Sequence, residues 1–156
     1  MRGFSKFAAG LAAFTMIAGT TSTPALAGDI ASAEKLRKLD IMLMVTALRC
    51  RHSADGFQAD YYNFSAKHNK SLNSAAHEMQ SSLEQQYGPA GAKRALDKLS
   101  VGMANRYGQG HPSMNCAELK AATQELSQDG DYASLVAAAD RMLAPDTGHV
   151  LLAARN

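Results

Sequence analysis

The sequence lacks most of the features that announce a function. It has two cysteines in 156 residues, which excludes a scaffold held by bridges alone; one disulfide supplements a hydrophobic core and does not replace it. No window alternates apolar and polar residues between hairpin turns, so a β-sheet architecture is not expected. There is no Gly-x-Ser-x-Gly elbow, no His-Glu-x-x-His, no Walker loop and no Gly-x-Gly-x-x-Gly, the arrangements that present a nucleophile, a catalytic zinc or a phosphate cradle. Asp55, Asp60 and Glu78 supply carboxylates, but their spacing fixes no pair at catalytic distance, and surface solvation accounts for them. A charge excess is missing too. Of 16 basic and 14 acidic residues, Arg2 and Lys6 stand in the first 27 positions with no acid among them, so the remainder carries 14 of each sign. That balance excludes the clustered basic surface of a nucleic-acid binder.

What stands at the N-terminus is a targeting signal. Arg2 and Lys6 introduce an uncharged, largely apolar run of 13 residues from Phe7 to Gly19, the length of a signal h-region and short of the roughly 20 residues that cross a bilayer. A polar stretch, Thr20 to Thr23, leads to Pro24-Ala25-Leu26-Ala27, and Ala25-x-Ala27 places small residues where a signal peptidase reads them. The sequence therefore predicts removal of residues 1–27 and a mature chain of 129 residues beginning at Gly28, enough for one domain with its own core. A retained membrane anchor is the alternative. No cysteine follows the junction to accept a lipid, and no later apolar run reaches transmembrane length. The expected location is periplasmic or secreted.

Apolar spacing predicts an all-α domain of about five helices over residues 28–145. The first runs from about Ser32 to Cys50, with Leu36, Leu39, Leu43, Ala47 and Cys50 on one stripe and Ile41, Met42, Met44, Val45 and Leu48 on the other faces; a helix apolar all round is a central one. The second extends over nearly thirty residues from about Phe57, on a stripe of Tyr61, Phe64, His68, Leu72, Ala75, Met79, Leu83 and Tyr87. Gly88-Pro89 stops or bends it. The third fits Ala90 to Tyr107 with Ala92, Leu96, Leu99, Met103 and Tyr107 inward. Asn115-x-x-Glu118 reads as a reciprocal cap opening a fourth helix that buries Cys116, Leu119, Thr123 and Leu126. After the Asp129-Gly130-Asp131 turn, a fifth runs from about Tyr132 to Leu143 and ends at Pro145. The tail, 146–156, is assigned no element.

In an oxidising compartment two lone cysteines pair by default, so Cys50 and Cys116 are expected to form a disulfide. The alternative is a thiolate metal site at the same place, with His52, His111 and Met114 nearby; the spacings match no familiar zinc finger, and no cofactor is expected. His68 reads as a hydrogen-bonded core histidine, and His77, nine residues on, lies on nearly the opposite face. The connection Asn105-Arg106-Tyr107-Gly108-Gln109-Gly110-His111-Pro112 combines polar, aromatic and flexible residues, as binding loops do. Asn105, Arg106, Tyr107 and His111 are its candidate binding residues. The competing reading is a helix stop, with Tyr107 packed inward and His111-Pro112 aiming the chain at the disulfide.

The segment Lys35 to Cys50, together with Tyr87-Gly88-Pro89-Ala90-Gly91-Ala92 and Met103-Ala104-Asn105-Arg106-Tyr107-Gly108, resembles a family of short secreted bacterial proteins without an established activity, over about Ala33 to Leu126. Some such chains carry the name S-adenosyl-L-homocysteine hydrolase. This sequence contradicts that chemistry, having neither the dinucleotide-binding glycine fingerprint nor the length for two α/β domains. The resemblance implies export and a helical fold, and transfers no functional residue. The resulting expectation is a non-enzymatic exported domain that binds an envelope protein or a small ligand. A second non-enzymatic reading is similarity to the small disulfide-bonded acid chaperones of the periplasm, from which cysteine spacing and length depart. An enzyme or metal protein using the His111 loop is the third.

Overall fold

A computed structural model of the chain describes residues 25–128 and 130–143, with side chains from residue 30 onward. The expected signal junction after Ala27 lies at this boundary, and residues 1–24 and the tail from 144 fall outside the described residues. Among those described there are five helices and no strand: α1 (Ala25–Cys50), α2 (Gln58–Lys67), α3 (Asn69–Tyr107), α4 (Cys116–Gln128) and α5 (Tyr132–Met142).

Helix α1 is the axis of the domain. It packs most extensively on α3 and also touches α2, α4 and α5. The stripe of Leu36, Leu39, Leu43, Ala47 and Cys50 is buried, with Ala33, Ile41, Met42 and Thr46 beside it. Burying a leucine-sized side chain contributes about 1.5–3 kcal/mol, so this helix carries much of the core. Thr46 is accommodated there because its hydroxyl donates to the Met42 carbonyl at 2.7 Å, an i−4 bond that leaves no bare polar group. The expectation of an α1 apolar and covered all round needs correction. Met44 and Leu48, one turn apart, are 39% and 42% exposed, because no neighbour packs over that edge.

The second and third expected helices are divided differently in the structure. The long second helix breaks at His68, and its remainder continues past Gly88 into the third, with Gly88 at φ 69°, ψ 170° marking a kink. Gly88-Pro89 is thus the sharp bend read from the sequence, a non-helical Gly88 joining two helical arms that run together as α3. The break at His68 has no glycine or proline behind it. Tertiary bonds hold it: His68 Nε2 donates to the Leu126 carbonyl at 2.7 Å, and Lys67 Nζ donates to the Gln128 carbonyl. Both acceptors lie in the last turn of α4, where carbonyls have no intrahelical partner. His68 is buried, as a core histidine should be.

The shorter helices follow their caps. Asn115 Oδ1 accepts the Glu118 amide at 3.0 Å and Glu118 Oε2 accepts the Asn115 amide at 2.8 Å, the reciprocal box read from the sequence. Asp131 Oδ1 accepts the Ser134 amide at 2.8 Å to start α5, and those amide bonds hold its carboxyl below the usual carboxylate range.

Two predictions arise here. Gly88 occupies a backbone region that is essentially glycine's alone, and a Cβ there meets nothing within 4 Å. Gly88→Ala should therefore cost about 1–3 kcal/mol from backbone strain alone. Gly102, inside α3 and facing open space, should behave oppositely, Gly102→Ala stabilising by about 0.5–1 kcal/mol; urea midpoints of the two variants check both signs.

The second concerns Asp40, whose Oδ1 accepts the Tyr61 hydroxyl at 3.0 Å and whose Oδ2 accepts Arg37 Nη1 at 3.2 Å. Burial raises its pKa above the usual 3.8 despite the lowering by Tyr61 and Arg37. The folded state thus holds this proton more tightly than the unfolded chain. The stability Asp40 contributes is full below about pH 3.8 and is lost as pH rises through its folded pKa. Asp40→Asn should remove that component. In urea titrations, the wild type's stability relative to the variant should fall as pH is raised from 3.8 upward; a constant difference would contradict the assignment.

Candidate functional site

The residues singled out from the sequence gather at one end of the domain. Cys50 is the last residue of α1 and Cys116 the first of α4, and they are joined in a disulfide with Cα atoms 5.8 Å apart. The bridge closes a span of 66 residues and draws the 108–115 connection over the end of α1. Around it lies a cleft of about 450 Å³, lined by Thr46, Arg49, His52, Ser53, Gln109, Gly110, His111, Met114, Asn115 and Leu119 besides the two cysteines.

Beside that cleft Tyr107 and His111 are already engaged. Tyr107 is only 1% exposed, and its ring stacks on His111 with centroids 5.4 Å apart and planes 24° from parallel. His111 Nε2 donates to the Met142 carbonyl at 2.6 Å. Its Nδ1 accepts the amides of Ser113 at 3.2 Å and Met114 at 3.1 Å. The ring is therefore the tautomer with its hydrogen on Nε2, and both nitrogens are occupied. Asn105 is exposed, and Arg106 lies half-buried with its guanidinium 5.8 Å from the Tyr107 ring centre. Tyr107 thus packs inward, as the helix-stop reading had it, and His111 is a strut between the connection and the end of α5.

The metal alternative meets the same chemistry. His52 is exposed and its Nε2 accepts Arg51 Nε at 2.9 Å. Met114 packs against the core, and both cysteine sulfurs are in the bridge. Among the described residues no three His, Cys, Asp or Glu side chains converge on a point where they would hold an ion. His77 is exposed on α3.

A second cavity, which the sequence did not disclose, lies in the bend of α3. Its volume is about 330 Å³, within the range of small-molecule sites. One wall is Met79, Leu83 and Tyr87, at four-residue steps before the kink; the other is Gly91, Ala95 and Leu99, at four-residue steps after it. Glu34 of α1, with Arg94 and Lys98 of α3, completes the lining. Gly91 matters to this shape. A Cβ there would stand 2.5 Å from the Tyr87 Cβ, so only glycine lets the two arms of the bend approach so closely. Met79, Leu83, Tyr87 and Leu99 had been legible as members of core stripes. Their convergence was not, because it depends on the angle at Gly88.

No family model, curated protein or solved structure matches this chain.

The bridge and His111 generate the predictions for this end of the molecule. Replacing both cysteines by alanine should cost up to about 4 kcal/mol on the chain-entropy model, while the helices keep their far-ultraviolet signature. Hydrogen exchange should rise most over residues 105–116. His111→Phe keeps a ring for Tyr107 but removes the imidazole's hydrogen bonds to Met142, Ser113 and Met114, and should cost about 2 kcal/mol, with the amides of Ser113 and Met114 losing protection first. Unchanged protection there would mean that His111 is not the strut.

Proposed function

We propose that the protein is an exported, non-catalytic helical domain of the periplasm or extracellular space, and that it binds a small apolar ligand in the bend of α3. The observation that carries this reading is the cavity itself. It is concave, walled by Met79, Leu83, Tyr87 and Leu99, and set between the two arms of α3 and α1, as small-molecule sites are concave and mostly apolar. The cleft at the disulfide supports binding less well, since His111 spends its ring face on Tyr107 and both its nitrogens on the backbone. The targeting signal at residues 2–27 supports the location. No helix among the described residues is long and apolar enough to cross a membrane.

One observation favours a second reading, the acid-stress chaperone. Asp40 gains its proton more readily in the folded state, so this group favours the fold as pH falls. Exposed Met44 and Leu48 would supply a surface for unfolded clients.

Intact-mass measurement of the envelope fraction should show loss of residues 1–27. On that mature protein, a polarity-sensitive dye should bind at neutral pH, and Ala95→Phe, which fills the cavity, should abolish the signal. Dye binding that ignores Ala95→Phe and appears only on acidification would turn the assignment to the chaperone.

A further inference from the structure

The cavity in the bend of α3 is chemically mixed. Its apolar walls, Met79, Leu83 and Leu99, are buried, whereas Arg94 and Lys98, which stand one helical turn apart on the same face of α3, line it and are both exposed. Glu34 is the one acid in the lining, and it is already paired: Lys38 Nζ lies 2.8 Å from its carboxylate. Asp97, three residues from Arg94, forms no ion pair with it, and among the described residues neither Arg94 nor Lys98 meets an acid within 4 Å. The cavity thus presents an apolar trough with two uncompensated cations at its rim. Like charges one turn apart repel, and an anion between them relieves that repulsion.

Resting on the reading of this cavity as a ligand site, we infer that its ligand is a single-chain amphiphile with an anionic head, a free acyl carboxylate of medium chain length. The chain lies between Met79, Leu83 and Leu99, and the carboxylate sits between Arg94 and Lys98. An arginine beside a carboxylate offers paired donors in one plane, and the lysine adds a mobile point charge. The volume of about 330 Å³ suits one chain and not the two of a phospholipid. Because the walls are shared by both arms of α3, occupancy should also stiffen the bend at Gly88.

Titration of the mature protein with dodecanoate, dodecanol and dodecyltrimethylammonium, followed by amide shifts of residues 79–99, tests this. Dodecanoate should bind roughly tenfold more tightly than dodecanol at low salt, with dodecyltrimethylammonium weakest. The double variant Arg94→Gln, Lys98→Gln should bring dodecanoate down to the dodecanol level, leave dodecanol unchanged and abolish the salt dependence. Equal binding of dodecanoate and dodecanol, insensitive to that variant, would overturn the anionic head while leaving an apolar ligand site. Failure of all three to bind would overturn the cavity assignment with it. Dodecanoate binding that persists in Ala95→Phe would place the ligand elsewhere and overturn the proposal equally. Binding to vesicles of anionic phospholipid without binding of monomeric dodecanoate would replace the free amphiphile with a membrane surface.

Discussion

Helix α1 has to be covered, and the other four helices are arranged to cover it. It buries nine side chains between Ala33 and Cys50, more than a single partner helix shields, since one helix contacts only one stripe of another. The two arms of α3 lie along it, with α5, α2 and α4 closing the remaining sides. Where coverage stops, at Met44 and Leu48, apolar surface stays in water. The bend at Gly88 belongs to this constraint. A straight α3 of 39 residues would span roughly 58 Å at 1.5 Å per residue, far past the end of α1, and folding it at Gly88 lets both arms reach the same core.

The two structural histidines do the same work at different places. His68 donates to Leu126 and His111 to Met142, in each case a carbonyl in the last turn of a helix. Such carbonyls lack intrahelical donors, and left unpaired beside the core they would each cost on the order of 1–3 kcal/mol. Each histidine also joins segments far apart in sequence: the α2–α3 junction to the end of α4, and the α3–α4 connection to the end of α5. The disulfide adds a third tie, from the end of α1 to the start of α4. Ion pairs contribute less. Lys35 meets Asp140 at 2.6 Å, but both are largely exposed, and such pairs contribute about 0–1 kcal/mol.

Function, on this reading, follows from what the ties leave over. In the 105–112 connection Tyr107 and His111 are engaged in holding the end of the domain together, while Asn105 and Gln109 stay exposed. The bend of α3, by contrast, leaves space that no side chain fills, because Gly91 and Ala95 are small where their neighbours are large. Cations at the rim of an apolar space select a ligand by charge, since the apolar walls hold any chain but the rim discriminates among heads.

Much of the architecture was legible in the sequence because it is local. Three-and-four spacing identified the helical segments and most buried positions, though it ran α2 into the first arm of α3 and counted Tyr87, which is 49% exposed, on the buried stripe; Asn115 and Glu118 announced their mutual cap, and Asp131 began α5 as its side chain requires. The cysteine pair followed from composition and the expected compartment. What the sequence alone did not determine was relational. The break at His68 has no local signal, because its cause is the end of α4, 58 residues away. Tyr107 had two readings until the structure turned it inward against His111. The cavity in α3 stayed hidden because Met79, Leu83 and Leu99 carry the same apolar pattern whether they pack against a neighbour or line a space. Periodicity reports which face of a helix avoids water; only the angle between helices decides whether that face meets another or leaves a cavity.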